Sequence, residues 1–393
     1  MSYLEKLLEG VEVEWKSLGD FATYEQPTKY LVASKNYKDD FLTPVLTAGQ
    51  TFILGYTDEL DGIYRASETP VIIFDDFTTA NKWVDFDFKV KSSAMKMITA
   101  KDESKALLKY IFYWLQTIPS DLVASEHKRQ WISNYSKKSF PLPPLEAQKE
   151  IVRVLENFTQ LTKELTKDLD SRRKQYSYYR EALMSFEEGK VEMKALDEIG
   201  EFQRGKRFVK DDMISEGVPC IHYGEMYTHY GTWADKTKSF VSEELVKNKS
   251  LRVAEKGDVV IVAAGETIED IGMGTAWLGN GGVVTHDALF SYRSPLNPKY
   301  VAYFSRTKQF HDQIRRHIRS GKISAINAKG LGKAIIPVPS KDEQERIVSI
   351  LDKFDILTNS LSEGLPKEID LRQKQYEYYR DMLLTFPKDK LEA

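Results

Sequence analysis

The feature of this 393-residue chain that most constrains its fold is an internal repeat. The segment Pro143–Val152 (PPLEAQKEIV) reappears as Val338–Val348 (VPSKDEQERIV), and Lys174–Arg180 (KQYSYYR) reappears as Lys374–Arg380 (KQYEYYR). The offset is 196 residues at the first pair and 200 residues at the second, so the second copy is four residues longer. Because self-similarity at a fixed spacing marks a repeated structural unit, the sequence predicts two related halves.

Each repeated segment belongs to a long predicted helix. In both copies apolar and aromatic residues alternate three and four positions apart, which is the spacing of a coiled-coil seam. In the first copy the seam comprises Leu155, Phe158, Thr162, Leu165, Leu169, Arg172, Tyr176, Tyr179, Leu183 and Phe186. The additional residues of the second copy act as a stutter and include Gly364 and Pro366, which predict a break or sharp kink near residues 363–366.

A weaker similarity, between Val13–Leu18 and Val191–Leu196, marks the start of a globular segment ahead of each long helix. The predicted organisation is an N-terminal helix that closes a circular repeat (1–12), a first globular segment (13–140), a long helix (141–190), a second globular segment (191–336) and a second long helix (337–393). The predicted fold class is α+β, with two mixed α/β domains in a pseudo-twofold repeat separated by two long helices.

Within the globular segments the pattern predicts both strands and helices. Strands are expected at 71–74, 85–90 and 258–262, and further strands from 282–284 through 290–292. Helices are expected at 104–117 and 298–319. The two globular segments share little sequence despite their common frame. This combination predicts the same task performed on different targets.

Composition excludes several classes of protein. Hydrophobic residues at 41% and charged residues at 29% are typical of a soluble globular chain. The single cysteine, Cys220, excludes a disulfide framework and a cysteine-cluster zinc site. No apolar run reaches the length of a membrane span, and the acidic start of the chain is unlike a signal peptide, so we expect a cytoplasmic protein with no membrane partner. The net charge of −3 argues against a simple cationic coat for nucleic acid, although it allows local basic faces.

Two such basic faces occupy the same place in the repeat. Residues 308–333 hold seven lysines or arginines against one acid, Asp312, and a smaller basic group lies just ahead of the first long helix. Lysine and arginine clusters neutralise phosphates, and a nearby glycine allows close approach of the backbone. We therefore expect the DNA-binding residues to be Lys128, Arg129, Arg204, Lys206, Arg207, Arg315, Arg316, Arg319, Ser320 and Lys322. A solvated charged surface is the alternative interpretation.

Other motifs are weaker. Gly200–Arg207 is one residue short of a nucleotide-binding P-loop, because arginine stands where a serine or threonine must hold magnesium. Gly272–Gly274 lacks the third glycine of a dinucleotide site and is better explained as a hairpin. The six histidines form no metal-binding pair, although His222 or His286 remain candidates for metal binding or general catalysis; no metal site or cofactor is predicted.

The repeated proline-glutamine segments and the two KQYxYYR segments resemble the conserved regions of the specificity subunits of type I restriction–modification systems. The resemblance covers essentially the whole chain. It implies two target-recognition domains, each reading one half of a split site in double-stranded DNA, with two conserved helices that pair antiparallel between them. It also implies a subunit without catalytic activity on which two adenine-N6 methyltransferase subunits dock, joined in restriction complexes by two ATP-driven translocase–nuclease subunits.

Two further expectations follow from that resemblance. The coiled coil sets the spacer between the half-sites, and Tyr178 and Tyr378, which lie off the seam, contact the methyltransferase subunits. No adenine-methylation motif of the Asn-Pro-Pro-Tyr type is present; the nearest prolines, in Leu142–Leu145, lack both the amide and the aromatic residue. The alternatives are a nucleotide- or metal-dependent DNA enzyme that uses Gly200–Arg207, and a coiled-coil adaptor that binds only proteins.

Overall fold

The structure is a computed structural model, and it describes residues 10, 12–49, 51–119, 129–360 and 362–386. The predicted N-terminal helix (1–12) lies outside the described residues except for residues 10 and 12. The predicted DNA-binding residue Lys128 also lies outside them. The chain divides into two compact units. Unit 1 comprises Met1–Glu164 with Asp370–Ala393, and unit 2 comprises Leu165–Ile369.

Unit 1 contains a four-stranded antiparallel sheet in the order β2-β8-β5-β6, a three-stranded sheet in the order β4-β3-β7 and the antiparallel pair β1-β9. The strands are β1 (Glu14–Ser17), β2 (Ala22–Glu25), β3 (Thr43–Leu46), β4 (Ile53–Thr57), β5 (Val71–Asp75), β6 (Asn81–Val84), β7 (Lys89–Val90), β8 (Met95–Ala100) and β9 (Ser139–Leu142). The short helices are α1 (Leu18–Phe21), α2 (Leu108–Leu115) and α3 (Gln130–Ser133).

The first long helix, α4, runs without interruption from Leu145 to Leu183. Its 39 residues give a length of about 58 Å at 1.5 Å per residue. Pro143 and Pro144 precede it, as the sequence predicts, because proline lacks the N–H that a helix interior needs. Its first half belongs to unit 1 and its second half to unit 2.

Unit 2 contains a five-stranded sheet in the order β11-β20-β16-β18-β13, a four-stranded sheet in the order β14-β12-β19-β15, and the pairs β17-β21 and β10-β22. The strands are β10 (Glu192–Ala195), β11 (Glu201–Arg204), β12 (Val218–Ile221), β13 (Trp233–Ala234), β14 (Ser239–Val241), β15 (Val253–Ala254), β16 (Val259–Val262), β17 (Ala264–Gly265), β18 (Gly274–Trp277), β19 (Val283–Thr285), β20 (Leu289–Arg293), β21 (Ser324–Ala325) and β22 (Ile335–Val338). The helices are α5 (Leu196–Ile199), α6 (Glu225–Thr228), α7 (Glu243–Lys249), α8 (Pro298–Phe304), α9 (Lys308–Arg315), α10 (Ala328–Gly332) and α11 (Lys341–Asn359).

The second long helix is divided. Its first part, α11, ends at Asn359, and its second part, α12 (Leu365–Leu384), begins after five intervening residues and lies mostly in unit 1. A side chain at Gly364 would place its Cβ 2.2 Å from the carbonyl oxygen of Ile356, so this turn accepts only glycine. The hydroxyl of Ser360 accepts from the backbone N–H of Glu363 at 3.1 Å and supports the new start.

Each unit builds its core on one segment of each long helix. The core of unit 1 includes Leu155 of α4 and Leu383 of α12, and the stacked rings of Phe158 and Tyr379 lie 5.4 Å apart. The core of unit 2 includes Tyr176 of α4 and Leu351 of α11. The expected α+β class, with mixed domains on long helices, is confirmed.

The same anchor holds each globular part to its long helix. In unit 1 the buried Gln148 accepts from the backbone N–H of Leu107 at 3.0 Å and donates to the carbonyl of Pro143 at 2.9 Å. In unit 2 Gln344 accepts from the N–H of Asn297 and donates to the carbonyl of Pro339, both at 2.9 Å. The repeated glutamine is therefore a buried structural group that satisfies backbone atoms at the start of each helix.

Two sequence predictions of regular structure were wrong in part. The expected strand at 85–90 is reduced to Lys89–Val90, because the carboxylate of Asp87 binds the Ser67 hydroxyl and the Arg65 guanidinium, both at 2.6 Å. The expected helix at 298–319 is two helices, α8 and α9. The Thr307 hydroxyl caps α9 by accepting from the N–H of Phe310 at 3.3 Å.

Candidate nucleic-acid interface

Unit 2 carries an open groove of about 450 Å³. Loops that follow strands β11, β12, β17 and β19 meet there. The groove is lined by Arg204, Arg207, Phe208, Val209, Lys210, His222, Tyr223, Ala264, Gly265, Glu266, His286, Asp287, Ala288 and Ile323. It therefore combines three cationic side chains with aromatic rings, imidazoles and two carboxylates.

Gly205 fixes the path of the chain at the edge of this groove. Its N–H donates to the carbonyl of Leu289 at 3.0 Å, and a Cβ at this position would lie 2.2 Å from the carbonyl oxygen of His286. Only glycine allows β11 to end so close to the neighbouring loop. The turn that follows carries Lys206 and Arg207.

The P-loop alternative for Gly200–Arg207 is not supported by this geometry. Residues Glu201–Arg204, between the two glycines, form a strand in antiparallel register with β20, and only a short 3-10 turn (Lys210–Asp212) follows. A P-loop instead wraps backbone N–H groups around phosphates and leads directly into a helix. The segment is a sheet strand followed by a basic turn.

The cations of this turn differ in how they are held. The Nε of Arg204 donates to the carbonyl of Asp287 at 2.9 Å, and the Nζ of Lys206 donates to the carbonyl of Lys249 at 3.4 Å. Arg207 is exposed and makes no ion pair with any residue that the structure describes. Its guanidinium is therefore available to an anion in the groove.

A second predicted segment reaches the same groove. Arg319 and Ala325 pair through two backbone hydrogen bonds of 2.8 and 3.0 Å, and they close a hairpin whose tip contains Ser320 and Lys322. The strand after the tip, β21, pairs with β17 beside the groove. Ile323 lies on the groove wall and is 64% exposed. Ile323 is the only residue of this hairpin that lines the groove, and the basic Arg319 and Lys322 lie close to it in the chain. Of the predicted DNA-binding residues that the structure describes, Arg204 and Arg207 line the groove.

Two histidines form part of the groove wall. The ring centroids of His222 and His286 lie 4.6 Å apart, and each Nδ1 accepts a backbone N–H, from Gly224 at 3.3 Å and from Ala288 at 3.1 Å respectively. Burial lowers the pKa of both imidazoles. For His222 the neutral tautomer compatible with this bond carries its proton on Nε2, where it is a hydrogen-bond donor. The Nδ1 of His286 also lies 3.1 Å from a carboxylate oxygen of Asp287.

Among the described residues, metal binding, a reactive cysteine and a dinucleotide site at Gly272–Gly274 find no support. Within the described ranges no three histidine, cysteine or acidic side chains are placed to hold a metal ion. Cys220 is buried, and burial raises the pKa of its thiol to about 12, which keeps it protonated and unreactive. Gly272, at φ +91°, lies in a tight turn before β18, as expected for a hairpin.

Not every predicted DNA-binding residue lies at the groove. Arg315 lines a separate cleft of unit 2, and the exposed Arg316 follows α9 outside the groove lining. In unit 1 Arg129 is exposed next to α3, where the carbonyl oxygen of Gln26, in the orientation that satisfies its neighbours, accepts from Arg129 at 3.2 Å and from Lys96 at 2.8 Å. Unit 1 thus has its own polar site around Arg129.

The repeated tyrosines of the long helices separate into two kinds. Tyr178 and Tyr378 are 68% and 65% exposed, a near-identical exposure at equivalent positions. Tyr176 is buried and stacks on Phe354 at 6.2 Å, and the hydroxyl of Tyr376 donates to Gln116 at 2.9 Å. The seam tyrosines pack as the heptad predicts, whereas Tyr178 and Tyr378 present aromatic surface.

Sequence reasoning missed a paired lysine that joins each globular part to its helix. Lys109 contacts Glu156 at 3.3 Å and lies 3.8 Å from the ring centroid of Trp83. Lys299 contacts Asp352 at 2.7 Å and lies 4.4 Å from the ring centroid of Trp233. The lysine and the carboxylate recur at fixed offsets, but each tryptophan lies in an unrelated part of the sequence, so the repeat gives no signal for it.

Within the described residues no helix is long and apolar enough to cross a membrane.

Comparisons with known proteins agree on one family. The sequence model of the family described as "Type I restriction modification DNA specificity domain" matches residues 10–172 and again 188–371. The chain is 50% identical over 401 residues to a type I restriction enzyme specificity subunit of Escherichia coli, covering 99% of this chain and 98% of that protein. It is 30% identical over 410 residues to a putative type I restriction enzyme specificity subunit of Haemophilus influenzae, covering 98% of both.

Solved structures show the same fold. The crystal structure of a type I restriction–modification S subunit from M. genitalium matches with a TM-score of 0.57 and 16% identity, over 99% of this chain and all of that chain. A chain from a structural study of complex assembly and conformational transition in a type I system matches with a TM-score of 0.56 and 16% identity, over 95% and 97%. The duplicated match of the family and the full-length identity lead to one conclusion: this chain belongs to the family of specificity subunits of type I restriction–modification systems.

Proposed function

We propose that this chain selects the DNA target of a type I restriction–modification complex without catalysing a reaction itself. The globular segments 13–140 and 191–336 each recognise one half of a split double-stranded target, and the long helices at 141–190 and 337–393 set the spacer. The observation that carries the proposal is the meeting of Arg207 and the Arg319–Ala325 hairpin at one groove of unit 2. Clustered cations of this kind bind a phosphate backbone.

The groove supports a division of labour. Arg207 and Lys322 are exposed cations suited to phosphate contacts, which position a protein on DNA without reading its sequence. The buried His222 and His286 and the exposed Tyr223 line the same groove and carry donor and acceptor groups suited to base edges. In unit 1 the equivalent task falls to the site around Arg129, and Lys128 belongs to the same basic segment.

Methylation mapping tests this proposal. The chain is expressed with its adenine methyltransferase partner, and N6-methyladenine is located across the genome of the host. We expect one bipartite motif with a fixed spacer. A chimera in which residues 191–336 come from another specificity subunit should change one half of the motif and keep the other. A change in both halves would contradict the assignment of one half-site to each globular segment.

The partners in this proposal are two adenine-N6 methyltransferase subunits, with two translocase–nuclease subunits added in restriction complexes in the cytoplasm. Tyr178 and Tyr378 support it, because exposed aromatic side chains are enriched at protein interfaces. The double substitution Tyr178→Ala and Tyr378→Ala should weaken docking of methyltransferase subunits in a sedimentation titration. The matched control is Leu60→Ala, a side chain 83% exposed in a loop of unit 1, which should leave docking unchanged. Full stoichiometric assembly of the double variant would refute the role of these tyrosines.

Activity measurements distinguish the alternatives. ATP hydrolysis or methyl transfer by the purified chain without partners would refute the non-catalytic proposal. Failure to retain any specific DNA, even with methyltransferase subunits added, would favour an adaptor that binds only proteins.

A further inference from the structure

Unit 2 contains a second cleft, of about 330 Å³, which shares no lining residue with the candidate DNA-binding groove. It lies between the second half of α4 and the region of α9. Three guanidinium groups line it, those of Arg180, Arg306 and Arg315. Arginine is charged at all relevant pH values, so these groups and Lys308 contribute four positive charges against the three carboxylates of Glu181, Glu269 and Asp312.

Two of these guanidinium groups, those of Arg180 and Arg306, have an Nε–H donor without an acceptor among the described residues. The Nη2 of Arg306 donates to the carbonyls of Gly231 and Gly274 at 2.8 and 2.9 Å, which holds the group in place. Its Nε is buried and has no acceptor among the described residues, and the same holds for the Nε of Arg180. Buried donors without partners are rare in proteins, and an acceptor from a partner, an ion or a water molecule would satisfy these two.

The equivalent position in unit 1 is fully compensated. Arg380, the repeat counterpart of Arg180, donates to the carboxylate of Asp381 from Nε at 2.8 Å and from Nη2 at 2.7 Å. The counterpart of Arg306, at the offset of 190 residues that relates Lys109 to Lys299, is the neutral Gln116, which accepts from the Tyr376 hydroxyl. The excess of guanidinium groups is therefore a property of unit 2 and not of the repeated frame.

A local carboxylate exists in unit 2 but is engaged elsewhere. Glu181 follows Arg180 as Asp381 follows Arg380, yet its carboxylate accepts from the backbone N–H of Lys308 at 2.7 Å. The side chain of Lys308 in turn forms an ion pair with Asp312. Arg180 and Arg315 form no ion pair with any described residue.

We infer that this cleft binds a carboxylate side chain of the methyltransferase subunit, an inference that rests on the proposed function. A guanidinium fork matches the two oxygens of a carboxylate, and bidentate pairs of this type are strong. Glu181, Glu269 and Asp312 also line the cleft, and these three carboxylates would repel a polyanionic duplex more than a single acidic side chain. Tyr178 lies three residues before Glu181, which lines the cleft, so the exposed ring and the cleft are neighbours on the surface of α4.

The test compares repeat-equivalent arginines in the full-length chain. Calorimetry measures the affinity of the cognate methyltransferase subunit for the wild type, for Arg180→Gln with Arg315→Gln, and for Arg380→Gln. We expect the first variant to lose roughly tenfold to a hundredfold in affinity, since hydrogen bonds to charged groups are the strong ones. The control should stay within about twofold because its charge is neutralised within the chain. Arg315→Gln alone, at an exposed site, shows the effect without any risk to folding and should account for part of the loss.

Each other result has a definite meaning. Unchanged affinity in the double variant, or an equal loss in Arg380→Gln, would overturn the inference and leave the proposed function standing. Normal subunit affinity combined with weaker DNA binding by the assembled complex would show that the cleft holds a phosphate and not a carboxylate. A wild-type chain that binds no methyltransferase subunit at all would refute the proposed function together with the inference.

Discussion

The phosphate contacts proposed for the groove of unit 2 can be tested by changing the charge of its cationic residues. Arg207 and Lys322 are exposed, make no ion pair within the described residues, and belong to the two segments that meet at the groove. Arg204 and Lys206 donate to backbone carbonyls and so are partly engaged within the fold. The informative variant is therefore Arg207→Gln with Lys322→Gln, which removes both charges and keeps polar side chains.

Counterion release sets the expected magnitude. Each lost phosphate contact reduces the slope of log K against log salt concentration by about 0.9, so two lost contacts reduce it by about 1.8. Between about 50 and 200 mM salt the wild-type affinity should then fall about twelvefold more than that of the variant. The half-site sequence should not change, because phosphate contacts carry no base information.

The assay is a fluorescence anisotropy titration of the assembled complex with its target duplex at four salt concentrations. The matched control is Lys247→Gln with Lys256→Gln, two exposed lysines of unit 2 that do not line the groove. An unchanged slope in the groove variant would refute the placement of phosphates at Arg207 and Lys322. An equal change in the control would mean that the effect is one of overall charge.

Four further results are expected. Gln344→Ala should lower the free energy of unfolding by about 2–4 kcal/mol in urea titrations, because it leaves two buried backbone groups without partners. Lys299→Met should cost about 2 kcal/mol in the same assay, since it leaves Asp352 without its half-buried partner. Burial lowers the pKa of His222 and His286 below 6.5, so the unfolded chain binds more protons than the folded chain. The stability that the two neutral imidazoles contribute should therefore be complete above pH 6.5 and be lost as the pH falls below it. The double substitution His222→Gln and His286→Gln should reduce this loss in urea titrations at a series of pH values. Four residues added to each long helix, about 6 Å of helix, should lengthen the methylated motif by one or two base pairs of about 3.4 Å, with both half-sites unchanged.

The helical frame could be predicted because its signals are local and occur twice. The heptad seam ends at Phe186, three residues beyond the observed end of α4 at Leu183, and the prolines directly precede its start. The glycine in the stutter coincides with a turn in which a Cβ would lie 2.2 Å from a carbonyl oxygen. Each of these features depends on residues that are neighbours in the chain.

The candidate groove could be predicted only in its parts. Basic residues at Arg204–Arg207 and at Arg319–Lys322 are visible in the sequence, but their meeting depends on the pairing of β17 with β21 across sixty residues. His222 and His286 approach one another because β12 and β19 lie side by side in parallel register. Parallel pairing of short strands leaves no periodic trace in the sequence, so neither histidine could be assigned to the groove beforehand.

The two units combine a constant attachment with variable surfaces, and this combination explains how one frame serves two targets. The contacts that recur in both units include those to the long helices: the glutamines Gln148 and Gln344, and the lysines Lys109 and Lys299 with their acidic partners. The sheets behind these contacts differ in strand number and order, four and three strands in unit 1 against five and four in unit 2. Selection for a new target can therefore alter the sheets and their loops while the attachment stays intact. An exchange of globular segments should be tolerated where the joints lie next to the repeated glutamines, and should fail where a joint separates a glutamine from the backbone groups that it satisfies.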